Sequence, residues 1–154
     1  MIFYSKTMTI VELRDNLRTI KPFGIAQDIV ISDGELIVEM QKDQLMRGKD
    51  AIGENLAPSY YSDAYAEMKQ QMNSRPELYT PDLRLTGDFY NGFYFDYDSL
   101  TVTSSDSKTP ILIEKYGKYI FGLNEETLRR YRIVFNIRFF DTFIAQLSGE
   151  TPYY

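Results

Sequence analysis

Residues 83–98 read LRLTGDFYNGFYFDYD, and this segment decides the fold class more than any other part of the chain. Six of the nine residues from Phe89 to Tyr97 are aromatic, and Gly87 and Gly92 interrupt the segment. Aromatic side chains favour a pleated surface that is buried on one side, so the segment predicts a strand. A protein of this size places so many aromatic side chains in its core or at an interface.

A second strand is predicted directly after the aromatic one. Residues 100–104 read LTVTS, and Asp98-Ser99 is a turn that pairs the two strands in an antiparallel hairpin. Helices are predicted on both sides of this hairpin. One runs from a Ser62 cap to about Met72, and the other covers 109–117 with Pro110 in its first turn. The first of these helices would carry on one face Tyr61, Tyr65, Met68 and Met72.

The N-terminal part of the chain is predicted to be mostly helical. Thr9 and Glu12 have the spacing of a capping box, and Pro22 with Gly24 is expected to end the helix that follows. Residues 25–34 could form either a hairpin with its turn at Asp33-Gly34 or a helix, because the sequence contains both patterns. A helix is favoured for 35–47.

The last helix is predicted to run from an Asn124 cap to about Leu147 and to stop at Gly149. Its apolar residues occupy nearly the whole circumference, which indicates burial on more than one side. A chain of this length can hardly wrap such a helix alone, so we expect a partner to cover part of it.

The predicted fold is α+β, with helices packed on a small, mainly antiparallel sheet and a long C-terminal helix. One structural domain is expected over 1–150, and 151–154 is expected to be a loose tail.

Composition excludes several kinds of chemistry. The 154 residues include no His and no Cys, which excludes disulfides, thiolate nucleophiles and histidine-based catalysis within the chain. Carboxylate, lysine or tyrosine chemistry, or a hard-cation site, remain. No apolar run approaches the roughly 18–20 residues of a membrane span, and the N-terminus does not read as a signal peptide, so a soluble cytosolic product is expected.

Charged residues suggest two candidate sites, each with a plainer interpretation. Asp88, Asp96 and Asp98 could support acid–base chemistry or bind Ca²⁺ or Mg²⁺, although residues flanking a turn are the more common case. An arginine group in the last helix could contact DNA phosphates or a protein partner: Arg129, Arg130, Arg132 and Arg138. The formal net charge of −5 favours a protein partner, because an acidic chain is on average repelled by nucleic acid.

Five segments in order carry a family resemblance. They are Gln44–Gly53, Ala57–Tyr65, Asp82–Phe93, Ser105–Pro110 and Leu112–Leu123. This order resembles small structural proteins of tailed bacteriophages, particularly phages of gut Bacteroidales including the crAss-like group. More distantly, it is similar to the virion-morphogenesis and tail-completion class. The resemblance covers about 40–125 and leaves residues 1–24 outside.

The resemblance implies a non-enzymatic virion protein of the head–tail connector, neck or tail-completion ring, assembled in the host cytoplasm. The implied partners are copies of the chain, other virion proteins such as portal, connector or tail proteins, and DNA that passes without specific binding, with no cofactor, metal or membrane. The alternative is a nucleic-acid-binding or packaging accessory protein that uses Arg129–Arg138. The expected interface residues are Phe89, Tyr90, Phe93, Tyr94, Phe95, Arg129, Arg130, Tyr131, Arg132, Phe135, Phe139 and Phe143.

Overall fold

A computed structural model describes residues 8–60, 62–84 and 86–150, so the predicted tail at 151–154 and Tyr61 lie outside the described residues. The fold is α+β, with mostly helical content, one two-stranded antiparallel sheet and a long C-terminal helix. The elements in chain order are α1 (Ile10–Thr19), α2 (Pro22–Ser32), α3 (Gly34–Met46), α4 (Asp63–Met72), α5 (Asp88–Asn91), β1 (Phe93–Asp96), β2 (Thr101–Ser104), α6 (Thr109–Tyr116), a 3₁₀ turn (Lys118–Ile120) and α7 (Glu125–Leu147).

The chain divides into two compact units. The first contains the residues up to Val30 and those from Ile133 onward, and the second is Ile31–Arg132. The sheet and the aromatic segment belong to the second unit, whereas α1 and most of α7 belong to the first. The single domain expected over 1–150 stays a prediction.

Only the second half of the predicted aromatic strand is a strand. β1 pairs with β2 from Phe93 opposite Ser104 to the end of the hairpin, as predicted. The first half forms α5 instead, because Gly87 takes a left-handed conformation (φ 97°) and the N–H of Asn91 then donates to its carbonyl at 2.9 Å. Phe89 is therefore a buried residue of a helical turn and not of a strand.

Residues 25–32 belong to α2, Asp33 is a turn and Gly34 begins α3, which resolves the region left open by the sequence. α1 ends at Thr19, just ahead of Pro22 as predicted, but Pro22 then begins α2, because its fixed φ suits the first turn of a helix, and Gly24 lies inside α2. The apolar run continues as a helix in which Ile25 and Ile29, four residues apart, are buried. Gly34 serves close packing here, because a Cβ at this position would lie 2.9 Å from Cδ1 of Phe95.

The helix caps test three local predictions. Thr9 and Glu12 form the predicted capping box, with the Glu12 N–H donating to Thr9 Oγ1 at 3.2 Å. Asn124 caps α7 by accepting from the N–H of Thr127 at 2.9 Å. Ser62 precedes α4 but its side chain makes no capping hydrogen bond, so this part of the prediction is wrong.

Two buried glutamines of α3 hold the segment that leads into α7. Gln41 donates to the carbonyl of Ile120 at 3.0 Å and accepts from the N–H of Gly122 at 2.7 Å. Gln44 donates to the carbonyl of Gly122 at 3.0 Å and accepts from the N–H of Asn124 at 2.8 Å. Because both amides are buried and fully used, they fix the backbone at the point where α7 begins.

Gly48 is the position at which we expect a small substitution to be most disruptive. It has a left-handed backbone (φ +72°), and an added Cβ would lie 2.4 Å from Cγ2 of Thr80. We expect Gly48→Ala to lower the free energy of unfolding by about 2–4 kcal/mol, from backbone strain and overpacking together. Gly53→Ala is the matched control in urea unfolding, because Gly53 is also left-handed (φ +87°) but has nothing within 4 Å of the added Cβ. Equal losses in the two variants would contradict the steric part of this explanation.

Candidate functional site

An exposed apolar stripe runs along α7 in the first unit. Ile133, Ile137, Phe140 and Ile144 follow one another at intervals of four, three and four residues, which places them on one side of the helix. Their exposed fractions are 61%, 59%, 58% and 56%. We call these four residues the α7 stripe. The expectation that α7 leaves apolar surface uncovered by its own chain is confirmed.

The opposite side of α7 carries three half-buried phenylalanines. Phe135, Phe139 and Phe143 stack along it, with ring centroids 5.8 Å apart for the first pair and 6.2 Å for the second. Asn16 of α1 donates to the carbonyl of Leu147 at 2.8 Å, which ties α1 to the end of α7. α7 therefore has a half-buried side and, at the α7 stripe, an exposed side.

The structure separates the predicted interface residues into three groups. Those buried in the fold are Phe89, Tyr90, Phe93, Phe95 and Tyr131. A partner would reach them only if the second unit opened, so in this conformation they are core residues. Phe135, Phe139 and Phe143 are half-buried, and the exposed residues are Tyr94, Arg129, Arg130 and Arg132. The sequence interpretation missed the α7 stripe, whose spacing was visible but was not distinguished from that of the other apolar residues.

Three arginines from separate parts of the second unit gather around one carboxylate. The Nε of Arg47 lies 3.0 Å from Oδ2 of Asp43, and Nη1 of Arg75 lies 2.9 Å from Oδ1. Nη1 of Arg130 lies 3.8 Å from Oδ2 of the same residue. The three arginine side chains are each more than half exposed. This arginine cluster has two more positive than negative formal charges.

The remaining arginines of α7 are arranged differently. Arg132 donates to Oε1 of Glu125 at 2.7 Å, so part of its charge is neutralised locally. Arg129 is exposed and makes no ion pair with any residue in the described ranges. Arg138, the fourth member of the predicted group, is half-buried in the first unit. The four arginines therefore do not form a single basic surface.

A second charged surface lies between α3 and the hairpin. It is a groove of about 350 Å³. Its lining residues are Glu35, Val38, Glu39, Lys42, Phe93, Tyr94, Phe95 and Tyr97. Glu39 pairs with Lys42 at 2.9 Å, whereas Glu35 is exposed and makes no ion pair within the described part of the chain. We call this surface the acidic groove.

A buried ion pair joins α4 to the loop before α5. Nζ of Lys69 lies 2.8 Å from Oδ1 of Asp82, and the two side chains are only 5% and 2% exposed. Asn73 donates to Oδ2 of Asp82 at 3.0 Å, Tyr60 donates to Oδ1 at 3.3 Å, and the N–H of Arg84 donates to Oδ1 at 3.1 Å. Every oxygen of the buried carboxylate is thus satisfied, and the surrounding space is filled, so this network supports the fold and leaves no room for a substrate.

The buried pair predicts a loss of stability in acid. Burial opposes ionisation of Asp82, but hydrogen bonds from Lys69, Asn73 and the Arg84 N–H together hold its pKa below the usual value. A lowered native pKa stabilises the fold above the unfolded pKa of about 4, and this contribution is lost as the pH falls through the native pKa. Urea unfolding at pH 5 and at pH 2 is the measurement. The free energy of unfolding is expected to fall more between these two pH values for the wild type than for Asp82→Asn. An equal fall in the two proteins would contradict the contribution of ionised Asp82 to stability.

Two of the three candidate aspartates, Asp96 and Asp88, accept local hydrogen bonds through their carboxylates. Asp96 accepts from the hydroxyl of Ser99 at 2.8 Å and from the N–H of Asp98, and these hydrogen bonds hold its pKa below the usual value. Asp88 accepts from the hydroxyl of Thr86 at 2.6 Å. Within residues 8–60, 62–84 and 86–150, no three acidic side chains come together as a possible metal site. The turn interpretation describes these residues better than the metal interpretation.

An apolar cavity of about 330 Å³ also lies in the second unit. Its lining is mostly apolar: Ile37, Gln41, Phe95, Leu100, Thr101, Val102, Phe121, Gly122, Leu123, Leu128 and Tyr131. The amide of Gln41 and the hydroxyl of Tyr131 are both engaged in hydrogen bonds, the latter to Asp33 at 3.2 Å. Among the residues that the structure describes, no carboxylate or lysine lines this cavity, so those residues offer no acid–base pair to a substrate.

No protein-family model, curated protein or solved structure matches this chain. Among the helices of the described residues, none has both the length and the apolar character needed to cross a bilayer.

Proposed function

We propose that this chain is a non-enzymatic structural protein of a phage particle, acting in the head–tail connector, neck or tail-completion ring through contacts between subunits. The α7 stripe is the observation that carries the proposal. Four large apolar side chains, each more than half exposed, line one face of a helix whose opposite face carries half-buried, mutually stacked phenylalanines. Apolar surface of this kind is typically covered by a protein partner.

The resemblance of residues 40–125 to phage structural proteins supports the choice of particle. A ring is the closed assembly that lets each copy use two different surfaces, one toward each neighbour. The formal charge of −5 also suits a conduit, because an acidic wall does not retain the DNA that passes it. The other exposed apolar residues of the first unit provide further surface for a partner, as Ile10 (85%) and Phe23 (82%) illustrate.

Sedimentation of the purified chain tests the proposal. A monomer has a mass of 18.0 kDa, so a dimer or a larger ring is readily separated from it. We expect association that increases with concentration, alone or after addition of portal or tail proteins from the same particle, with more than about 1,000 Å² buried between neighbours. A chain that remains monomeric at every concentration, both alone and with those proteins, would contradict the proposal.

A nucleic-acid-binding or packaging accessory role is the second candidate, and the arginine cluster is the observation that favours it. Guanidinium groups from three separate segments lie close enough to contact one phosphate group. Gel-shift experiments at low and high salt distinguish the two roles, because binding to phosphates weakens steeply as salt is added. Salt-sensitive binding to DNA by a monomeric chain would favour the second role.

A further inference from the structure

We propose that the acidic groove of one copy binds the arginine cluster of a second copy. Glu35 and Glu39 would pair with Arg75 and Arg130 of the neighbouring molecule. This contact deepens the proposed function and rests on it, because it names residues through which subunits would recognise one another. It is separate from the α7 stripe, which would supply apolar area and not charge.

The groove has the chemistry that an arginine side chain needs. A volume of about 350 Å³ holds roughly ten water molecules, so a long side chain can enter. Glu35 offers a carboxylate without a competing cation, and the pair between Glu39 and Lys42 is exposed and therefore weak. Tyr94 and Tyr97 are 49% and 56% exposed at the same groove, and aromatic faces of this kind stack with guanidinium groups.

The arginine cluster carries positive charge that Asp43 does not neutralise. Asp43 is one carboxylate shared among three guanidinium groups, so two positive charges lack a full partner there. Arg75 and Arg130 approach it from a loop and from α7, and their side chains are 54% and 55% exposed. Arginine is enriched where a bidentate contact to a carboxylate is made across an interface.

Two observations favour a second copy over nucleic acid as the occupant. The complementary carboxylates are present on the same chain, so identical copies supply both halves of the contact. The acidic total charge opposes approach to DNA at long range but does not oppose contact between a basic patch and an acidic patch. Each copy carries one groove and one cluster, so the contact can repeat from copy to copy.

Charge exchange between two variants tests this contact. In the groove variant, Glu35→Arg and Glu39→Arg reverse the acidic side, and in the cluster variant Arg75→Glu and Arg130→Glu reverse the basic side. The changed side chains are exposed, so folding is expected to be retained and is checked by thermal melting. The control variant reverses two carboxylates elsewhere in the second unit, Glu67→Arg and Glu114→Arg.

Sedimentation equilibrium of each variant alone, and of the two mixed, gives the result. We expect each variant alone to self-associate at least about tenfold more weakly than the wild type, because like charges then face each other. The mixture is expected to regain association, because each reversed surface meets its reversed partner. The control variant is expected to associate like the wild type.

The other outcomes overturn the proposal in distinguishable ways. If the wild type associates and both variants associate equally well, the contact is absent while assembly itself stands. If the mixture does not regain association, the occupant is not this cluster. If the cluster variant loses salt-sensitive DNA binding with unchanged self-association, the cluster serves nucleic acid. A wild type that stays monomeric both alone and with portal or tail proteins removes the proposed function together with this contact.

Discussion

Replacement of Asp82 by alanine is expected to lower the free energy of unfolding by about 3–5 kcal/mol. The loss is large because the substitution leaves the ammonium group of Lys69 buried, at 5% exposure, with no opposite charge beside it. It also removes the acceptor for Asn73 and for the hydroxyl of Tyr60. Because small domains are stable by only about 5–15 kcal/mol, the variant is expected to approach the limit of folding.

Urea or thermal unfolding measures this effect against two other variants. Asp98→Ala is the matched control, since Asp98 is exposed and its side chain accepts no hydrogen bond among the described residues; a change within about 0.5 kcal/mol is expected. Lys69→Met is expected to destabilise as Asp82→Ala does. Combination of Lys69→Met with Asp82→Ala is expected to cost less than the two single losses added, because no unpaired charge remains. Additive losses would show that the pair is not coupled.

Introduction of charge into the α7 stripe is expected to abolish self-association while the chain stays folded. Ile137→Asp with Phe140→Asp places two carboxylates at the centre of a surface that a partner would have to dehydrate. Residues at the centre of an interface commonly contribute about 2–4 kcal/mol each, so we expect association at least about 100-fold weaker. The melting temperature is expected to change little, because both side chains are already more than half exposed.

Ile111→Asp is the control for this experiment. Ile111 lies on α6 in the second unit and is 63% exposed, so it matches the stripe residues in chemistry and exposure but not in place. Sedimentation of the three proteins at equal concentration gives the comparison. If Ile111→Asp weakens association as much as the stripe variant does, exposed apolar surface in general, and not the stripe, drives assembly. If the stripe variant associates like the wild type, the stripe is not an interface.

Local patterns in the sequence were sufficient to predict structure where the interacting groups are a few residues apart. The capping box of Thr9 with Glu12 and the Asn124 cap of α7 depend on spacings of three residues, and both are present. The pairing of β1 with β2 across a short turn is also present for the same reason. Such features depend little on the rest of the chain.

The aromatic segment and α4 show how tertiary packing overrides a local pattern. The left-handed backbone at Gly87 turns the chain, so the first aromatic residues enter the core from α5 and not from a strand. In α4 the predicted face would bury Met68 and Met72, yet both are exposed while Lys69 is buried. Asp82 makes this possible, because a lysine enters a core only with a partner, and that partner lies thirteen positions further along the chain.

The charged surfaces could not be predicted because their members are distant in sequence. The spacing of Asp43 and Arg47 is visible as a helical pair, but nothing in the sequence places Arg75 or Arg130 beside them. The prediction grouped the arginines of α7 by their proximity along the chain, whereas the fold assigns Arg130 to one cluster and Arg132 to an ion pair with Glu125. The acidic groove likewise combines α3 with the hairpin.

Three tyrosines with raised pKa values allow unfolding of the protein to be followed by absorbance. Burial, followed by the nearby charge of Asp82, raises the pKa of Tyr60 and of Tyr90, and burial alone raises the pKa of Tyr131. Phenols with an ordinary pKa ionise near pH 10, so we expect these three to ionise later, as the protein unfolds. With no tryptophan in the chain, tyrosinate absorbance is free of indole overlap. An alkaline titration followed in the ultraviolet would therefore display unfolding as a second, delayed step, without any dye or label.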